Sequence, residues 1–460
     1  MVEQLNDLMK ALEAGQYNAA PESLQQGSAL QVEDLSPVME NVTFDDQHIK
    51  LQKMLSVKDA KSTLVQFNRQ LDYGIFGGSA QYEGGIGEED TSNYARAIVP
   101  MAYYSTVRRV TVAANMIGAF DGRKAEDRAS DDAAMKLAGD IEFDSFRGHS
   151  GFSNGGVFDG NPAAGANIPG MRGVDAQIRE SDALSNTQDL MFAEYGSDQS
   201  VIVSVNGTLT QSFIEDASVK SAMQHGSADK LLLDPISLSQ YNKIAHAKER
   251  IMLAGSAQEA SGANLRTQWT SSALVSMEPS RFLSGKTRPA RARAGSPAAP
   301  AQALAAAANA ASALAAGTYA YYSTSCNERG ESVKSAAASQ VVAAGEAVSV
   351  TISQVPEAKY YNVYRSEDGG SAATAKFIGR VAETGAATTV MVDLGNRQPG
   401  SVTGFLLQGN TMELRQLSAY SKLKLAINDL SLPEAHFRFL CLAVKQPRKN
   451  VLLENISGQL

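Results

Sequence analysis

The most recognisable catalytic pattern lies in a glycine-rich stretch in the first third of the chain. Gly151-Phe152-Ser153-Asn154-Gly155 matches G-x-S-x-G, the turn that presents the nucleophilic serine of many hydrolases. That turn works where a strand leads into it and a helix follows, because this geometry exposes the serine hydroxyl. Here a predicted helix precedes it and a loop rich in Gly, Asn and Pro follows. A hydrolase that uses Ser153 therefore stays as the second alternative function.

Other patterns that carry chemistry are missing from the sequence. There is no G-x-x-x-x-G-K-[ST] phosphate loop, and no G-x-G-x-x-G follows a predicted strand. The group that most resembles a metal site, Asp45, Asp46 and His48, has no further ligands nearby in the sequence. Two cysteines, Cys326 and Cys441, are too few for a thiolate metal cluster. We expect no catalytic residues, no cofactor and no metal, and we expect that the protein is not an enzyme.

Length and charge exclude further classes. The 460 residues allow two or three domains. A formal net charge of -8 argues against a general nucleic-acid binder, which needs a basic face. No run of about 18 apolar residues occurs, so we expect no membrane span. The pattern of Met1–Gly15 predicts an acidic amphipathic helix, and we expect that it is not a signal peptide. The sparse cysteines fit a protein made in a reducing cytoplasm.

The elements are organised around a predicted hairpin. An alternating stretch with Val65 and Phe67 leads into a loop with six glycines at 74–87, and a second extended run covers Tyr94–Val112. Long antiparallel arms around a flexible tip are typical of a projecting hairpin. Such an arm has little core of its own. It rests either on another molecule or on its own chain, and the spacing alone leaves both open.

A helix and a mixed domain follow the hairpin. The helix Arg123–Arg147 has one narrow face of small and apolar residues, which predicts a helix that lies across a sheet with much of its surface wet. Short strands and helices then alternate, which indicates an α+β or α/β domain. The helices are predicted at Asp175–Glu194, Thr210–His225 and Ser237–Met252, and the strands at Ser200–Val205 and Lys230–Leu233.

The composition changes abruptly at Arg288. Residues 288–317 are rich in Ala and Pro and predict a linker, with a helix over Ala301–Ala315 left open. Arg288, Arg291 and Arg293 could touch nucleic acid, but linker solubility explains them equally well. Residues 318–398 contain six short predicted strands, which indicate a small β-sandwich. These strands are Thr318–Thr324, Val333–Val342, Val348–Ser353, Tyr360–Arg365, Lys376–Ala382 and Thr388–Val392.

The last segment, 399–460, is again β-like at Leu414–Ile427 and Phe437–Val444. These strands must rejoin a core. The economical topology is one large domain that is interrupted by an inserted sandwich.

In this order the pieces resemble the major capsid protein of tailed bacteriophages, the Hong Kong 97-type fold. The N-terminal arm resembles Gln16–Thr63, the extended loop (E-loop) Leu64–Tyr104 and the spine helix Arg123–Arg147. Much of Asp175–Ser280 would form the axial domain, and Phe405–Leu460 would return to the peripheral domain. The fold class expected from this resemblance is α+β with an inserted all-β sandwich. The expected divisions are 1–63 (helix and arm), 64–104 (E-loop), 105–174 (peripheral domain), 175–287 (axial domain and return), 288–317 (linker), 318–398 (insertion) and 399–460 (return).

The insertion resembles immunoglobulin-like and fibronectin type III modules. Residues 360–366 are similar to the third strand of fibronectin type III modules. Residues 319–322, with the turn at 330–332, resemble the sixth strand and the turn after it. The sixth-strand-like piece comes first, so the module is either permuted or a looser Ig-like sandwich.

The resemblance implies a function and partners. Copies would self-assemble as pentamers and hexamers into an icosahedral shell that encloses double-stranded DNA without sequence-specific binding. Cement, scaffolding and portal proteins would be its other partners, and the protein would reside in the virion after synthesis in the bacterial cytoplasm. The first alternative is a phage tail or baseplate protein that carries the same Ig-like module.

Contacts between copies are expected at the hairpin tip. The tip is acidic with no basic residue between Arg69 and Arg96, so we expect it to meet a basic surface on a neighbour. The acidic candidates are Glu83, Glu88, Glu89 and Asp90, and the apolar ones are Ile75, Phe76, Tyr82 and Ile86. The basic candidates are Arg108, Arg109, Arg123 and Lys124.

Overall fold

The computed structural model describes residues 45–70, 73–74, 80–87, 89–117, 124–148, 171–183, 200–248, 266–284, 296–327, 331–358, 360–427 and 429–457. The predicted helix at 1–15, most of the N-terminal arm and the loop with Ser153 lie outside these residues. Within the described part of the chain, no helix is both long enough and apolar enough to cross a membrane.

Six helices are described. They are α1 (Leu51–Met54), α2 (Val112–Ile117), α3 (Ala125–Arg147), α4 (Val174–Ala183), α5 (Gln211–Met223) and α6 (Pro235–Lys248). The predicted spine helix is confirmed as α3, and the helices predicted from 210 and 237 are confirmed as α5 and α6.

The strands divide between the hairpin, two sheets of the main body and a separate pair of sheets. In chain order the first ten are β1 (Ser56–Asp59), β2 (Leu64–Gln70), β3 (Tyr94–Pro100), β4 (Ala102–Thr111), β5 (Ile202–Gly207), β6 (Lys230–Leu233), β7 (Thr267–Trp269), β8 (Leu274–Pro279), β9 (Gln302–Ala308) and β10 (Gly317–Cys326). The remainder are β11 (Ala338–Val342), β12 (Glu346–Ser353), β13 (Tyr360–Arg365), β14 (Lys376–Ala382), β15 (Thr388–Asp393), β16 (Val402–Leu407), β17 (Met412–Lys424), β18 (Ser431–Val444) and β19 (Val451–Ile456).

The long helix α3 lies on a four-stranded sheet of order β1-β17-β18-β4. In its first half, residues 125–136, every residue except Ala133 is half-buried or exposed, but its last turns are buried on all sides from Glu142 to Phe146. The prediction of a narrow buried stripe is therefore wrong for this end of the helix. The physical reason is that the end of α3 enters the space between two sheets, where the Phe146 ring lies 5.4 Å from that of Phe405.

The second sheet of the body is mixed, with the order β5-β19-β16-β6-β8-β7. Its β19–β5 and β6–β8 pairs are parallel and the other pairs are antiparallel. One apolar core extends from Leu51 in the N-terminal segment to Ile456 near the C-terminus. The described N-terminal segment from Leu51 and the C-terminal strands therefore fold into the same body, as the predicted return of residues 399–460 requires.

Two further sheets, of orders β11-β10-β13-β14 and β15-β12-β9, share a second apolar core. We call residues 296–398 the two-sheet unit. Its strand β9 lies in the stretch predicted to be a linker, so the linker prediction is wrong for residues 302–308. The helix that the sequence left possible over Ala301–Ala315 is also wrong there, because these residues form a strand. Alanine can occupy an edge strand when a neighbour supplies the pairing, and β9 pairs antiparallel with β12 along its whole length. Leu314 is also buried in this core.

Side-chain amides attach the C-terminal end of the two-sheet unit to the body. Asn455 donates to Asn206 Oδ1 at 3.1 Å and to the Asn396 carbonyl at 2.5 Å. Gln398 donates to the Asn206 carbonyl at 3.2 Å. Both Asn206 and Asn455 have left-handed backbones, with φ of 48° and 55°, which asparagine adopts more readily than most residues. The end of the unit is thus held against the six-stranded sheet.

Candidate assembly surface

The hairpin of β2 and β3 has one face on its own chain. The strands pair antiparallel from Leu64↔Pro100 to Gln70↔Tyr94, so alternate side chains point to opposite faces. On the inner face Val65, Phe67 and Val99 pack around Cys441 of β18. Burial raises the pKa of the Cys441 thiol to about 12, so this sulfur acts as an apolar packing group.

Arg69 fastens the same inner face to the end of β18. Its Nε donates to the Lys445 carbonyl at 2.7 Å and its Nη2 to the Val444 carbonyl at 2.9 Å. The guanidinium also lies 5.2 Å from the centre of the Phe67 ring. Of the two interpretations that the sequence left open, packing on its own chain holds for the base of the hairpin.

The outer face and tip of the hairpin are exposed. Tyr82 and Ile86 at the tip are 94% and 92% exposed, and Tyr73 is 91% exposed. Leu64, Tyr94 and Ile98 are also exposed along the arms. Large apolar side chains gathered on one projecting element are typical of a protein interaction surface.

Asp90 has a different role from the other predicted acidic contacts. Its carboxylate lies against the backbone of Gly74, where any side chain would collide with it, and it accepts from the Thr91 N–H at 2.8 Å. The φ of Gly74, 111°, is also one that glycine tolerates best. Asp90 thus connects the two arms below the tip.

The structure places the remaining candidates in three settings. Tyr82, Glu83, Ile86 and Glu89 are exposed at the tip. Arg109 pairs with Asp429 at 2.8 Å on the open face of β4, and Lys124 is exposed just before α3. Arg108 is half-buried on the opposite face of β4, beside Glu434 and His436. Ile75, Phe76, Glu88 and Arg123 lie outside the described residues.

A polar layer separates the first half of α3 from its sheet. Tyr420 hydroxyl lies 2.9 Å from His436 Nδ1 and donates to the Ser130 carbonyl of the helix. Lys424 bonds Glu126 at 2.9 Å, and Lys136 bonds Thr106. Burial lowers the pKa of His436, with Glu434 opposing this shift. This layer explains why α3 carries so few apolar residues before its last turns.

A carboxylate that no sequence pattern singled out anchors the described N-terminal segment. Glu142, fully buried on α3, accepts from the backbone N–H groups of Lys50, Leu51 and Gln52 at 3.0, 2.7 and 3.1 Å. These are amides at the start of α1, which have no partner within their own helix. Burial raises the pKa of Glu142, while the amide donors oppose that shift. The sequence did carry a sign of this role: Glu142 is an acidic residue at a position where an amphipathic helix should be apolar.

A second missed group joins three strands. The Glu413 carboxylate on β17 bonds Lys58 of β1 at 3.0 Å, Arg415 at 2.6 Å and Lys445 at 2.8 Å. Burial alone would raise its pKa, but the bonds from Lys445, Lys58 and Arg415 prevail and lower it to about 2. β1 is thereby held as a parallel edge strand on β17. Lys58 and Lys445 are far from Glu413 in sequence, so no local pattern could identify the whole group.

The described residues contain no cluster of three or more His, Cys, Asp or Glu side chains that could hold a metal. Ser153 lies outside them, so the hydrolase alternative is untested by this geometry. The arrangement that is described can bind: it presents an exposed apolar hairpin that is fastened at its base.

Comparisons with known proteins identify the fold. No family model and no curated protein matches the sequence. In structure the chain is similar to a chain from the capsid of a native GTA particle, with a TM-score of 0.50, 11% identity, and coverage of 96% of this chain and 100% of that one. It is also similar to the capsid of cyanophage P-SCSP1u, with a TM-score of 0.44, 9% identity, and coverage of 96% of this chain and 97% of that one. A third similarity is to the SrpI encapsulin of Synechococcus elongatus, with a TM-score of 0.42, 8% identity, and coverage of 96% of this chain and 98% of that one.

The GTA similarity covers essentially the full length of both chains. This chain therefore has the α+β capsid fold of the Hong Kong 97 type.

Proposed function

We propose that this protein is a major capsid protein that self-assembles into the icosahedral shell around phage double-stranded DNA. The observation that carries the proposal is the full-length structural similarity to a capsid chain. The exposed hairpin supports it independently, because its apolar tip has a use when a neighbouring copy covers it. In this account the protein is a component of the virion, and its role is structural.

The two-sheet unit is proposed to be an inserted Ig-like domain in permuted order. Its sheet β11-β10-β13-β14 corresponds to the order G-F-C-C′ of an Ig-like sandwich, and β15-β12-β9 corresponds to E-B-A. All neighbouring pairs are antiparallel, as this assignment demands. Strand β13 then occupies the third-strand position and β10 the sixth, in agreement with the sequence resemblance of these segments. The unit would decorate the outer surface of the shell.

The charge suits a container for DNA. A net charge of -8 leaves little tendency to hold phosphate tightly, so packaged DNA would slide along the inner wall. Scaffolding, cement and portal proteins would be the other partners of such a shell.

The proposal is tested by the mass of the assembly. The full chain, produced in bacteria and purified, should sediment as particles far heavier than any small oligomer, in equilibrium with free subunits. A preparation that stays monomeric or forms small oligomers at every concentration and salt condition would overturn the proposal. Open tubes would favour the tail-protein alternative.

The hairpin tip is predicted to drive this assembly. Tyr82→Ser with Ile86→Ser should raise the protein concentration needed for assembly at least roughly 100-fold, because burying each of the two side chains at an interface stabilises by ~1.5–3 kcal/mol and each ~1.4 kcal/mol is a factor of ten. Both side chains are more than 90% exposed, so folding should change by less than ~0.5 kcal/mol.

Val333→Ser is the matched control for the tip. Val333 is 69% exposed on the two-sheet unit, and its loss should leave assembly unchanged. Light scattering against concentration compares the variants. If the tip variant and the wild type assemble at the same concentration, the hairpin tip has no role in assembly.

The two-sheet unit is predicted to be dispensable for the body. Replacing residues 288–398 by a short Gly/Ser linker should leave a cooperative thermal transition, because the unit buries its own core. Calorimetry of the deletion variant measures this. Insoluble protein, or protein with no transition, would mean that the unit and the body fold as one.

A further inference from the structure

Among the strands that the structure describes, none pairs with the outer edge of β4 in the four-stranded sheet. The sheet order is β1-β17-β18-β4, so β4 is an edge strand, and it is 10 residues long. Most edge strands are short, or are protected by proline, bulges or several charges. β4 contains no proline, and its pairing with β18 is regular from Ala102 to Thr111.

The register defines which backbone groups face this open edge. The Val112 N–H bonds the Leu430 carbonyl, and in an antiparallel pair hydrogen-bonded residues alternate with non-bonded ones. The even-numbered residues of β4 therefore bond to β18, and the odd-numbered ones direct their N–H and C=O groups outward. Throughout the described ranges, the outward backbone groups of Tyr103, Ser105, Val107 and Arg109 have no hydrogen-bond partner.

The edge has definite ends and an apolar character. At one end the Met101 N–H bonds the Thr63 carbonyl, so strand β2 begins there on the same side. At the other end helix α2 begins at Val112. Between them Tyr103 and Val107 are 46% and 57% exposed.

We propose that the edge of β4 pairs with the same edge of a second copy, antiparallel across a two-fold axis at Val107. Identical edges of equal length complement each other in this arrangement, and two-fold contacts are the commonest in homo-oligomers. Val107 faces Val107, Ser105 faces Arg109, and Tyr103 faces Thr111. No like charges face each other, and the facing pairs form about ten backbone hydrogen bonds. The four-stranded sheets of two copies become one sheet of eight strands.

This interface goes beyond the proposed function, which places the hairpin tip on a neighbouring copy and assigns no contact to β4. The two can also fail separately. A discrete dimer with β4 pairing and no larger particle would contradict the shell and leave this interface standing. Particles whose β4 edges remain unpaired would support the shell and contradict this interface.

Hydrogen exchange on the full chain tests the pairing directly. The amides of Tyr103, Ser105, Val107 and Arg109 should exchange at least 100-fold more slowly in assembled protein than in dilute free subunits. Those of the even-numbered residues of β4 should be protected in both states. Equal exchange of the odd-numbered amides in the two states would overturn the proposal.

Disulfide trapping tests the partner and the register. The two native cysteines are buried, so an introduced cysteine is the accessible thiol among the described residues. Val107→Cys should form a disulfide-linked dimer under mild oxidation, whereas Tyr103→Cys should not, because its two copies would lie roughly 26 Å apart. Tyr103→Cys combined with Thr111→Cys should cross-link again. A dimer through the single Tyr103→Cys variant, or none through Val107→Cys, would contradict the two-fold at Val107.

A proline variant tests the dependence on the backbone. Ser105→Pro removes one outward N–H at an edge position, where proline is tolerated, and should raise the concentration needed for association at least tenfold. Ser105→Ala keeps the N–H and should associate like the wild type. Equal association of both folded variants would contradict edge pairing, and if the proline variant does not fold, the exchange and disulfide results decide.

Discussion

Replacing Glu142 by alanine is expected to destabilise the body by about 3–5 kcal/mol, because a buried side chain is lost and three amides, one buried and two partly buried, lose their acceptor. The N–H groups of Lys50, Leu51 and Gln52 all converge on this carboxylate. Without it the segment from Asp45 to Asp59 should separate from α3 before the rest of the body unfolds.

Denaturant titration with hydrogen exchange measures both effects. Glu142→Gln keeps one oxygen acceptor and should lose about 1–3 kcal/mol. Asp132→Ala changes an exposed carboxylate of the same helix and should be neutral within ~0.5 kcal/mol. An alanine variant with wild-type stability and equally protected amides at 50–52 would show that the segment is held by other contacts.

Acid should release the Glu413 junction. The pKa of Glu413 is lowered from 4.5 to about 2 in the folded protein, so its contribution is complete above pH 4.5 and is lost as the pH falls toward 2. The full shift corresponds to ~3 kcal/mol, and solvent around Lys58, whose side chain is 52% exposed, reduces this to roughly 2 kcal/mol.

The comparison of wild type with Glu413→Gln isolates this contribution. The difference in unfolding free energy should be roughly 2 kcal/mol at pH 7, should fall to about half of that by pH 3 and should mostly disappear by pH 2. Lys58→Ala, which removes one of three cations, should cost ~0–1 kcal/mol at pH 7. A difference that is constant from pH 7 to pH 3 would mean that the carboxylate contributes through packing alone.

Local periodicity predicted those elements whose neighbours agree with it. The hairpin arms, the helix α3 and strands such as β6, β13 and β14 follow from alternation or helical spacing. The alanine-rich β9 did not, because its strand conformation is imposed by pairing with β12 and not by its own side chains.

The candidate assembly surface likewise contains features that the sequence predicted and features that it did not. The exposed tip was predictable, since glycines and unpaired acidic residues are local features. The fastening of its base was not, because Arg69 bonds to carbonyls of Val444 and Lys445, some 375 residues further along the chain. Asp90 was assigned to a neighbour on charge alone, whereas its carboxylate lies against Gly74 of its own chain. Charge patterns identify residues that need a partner and do not say which one.

Electron cryo-microscopy of the particles formed by the purified full chain tests the central claim most directly. The account predicts closed icosahedral shells, with five-fold and six-fold clusters of subunits and the apolar tip around Tyr82 and Ile86 buried on a neighbouring copy. Open tubes, discrete small oligomers, or closed particles whose hairpin tips remain in solvent would contradict it.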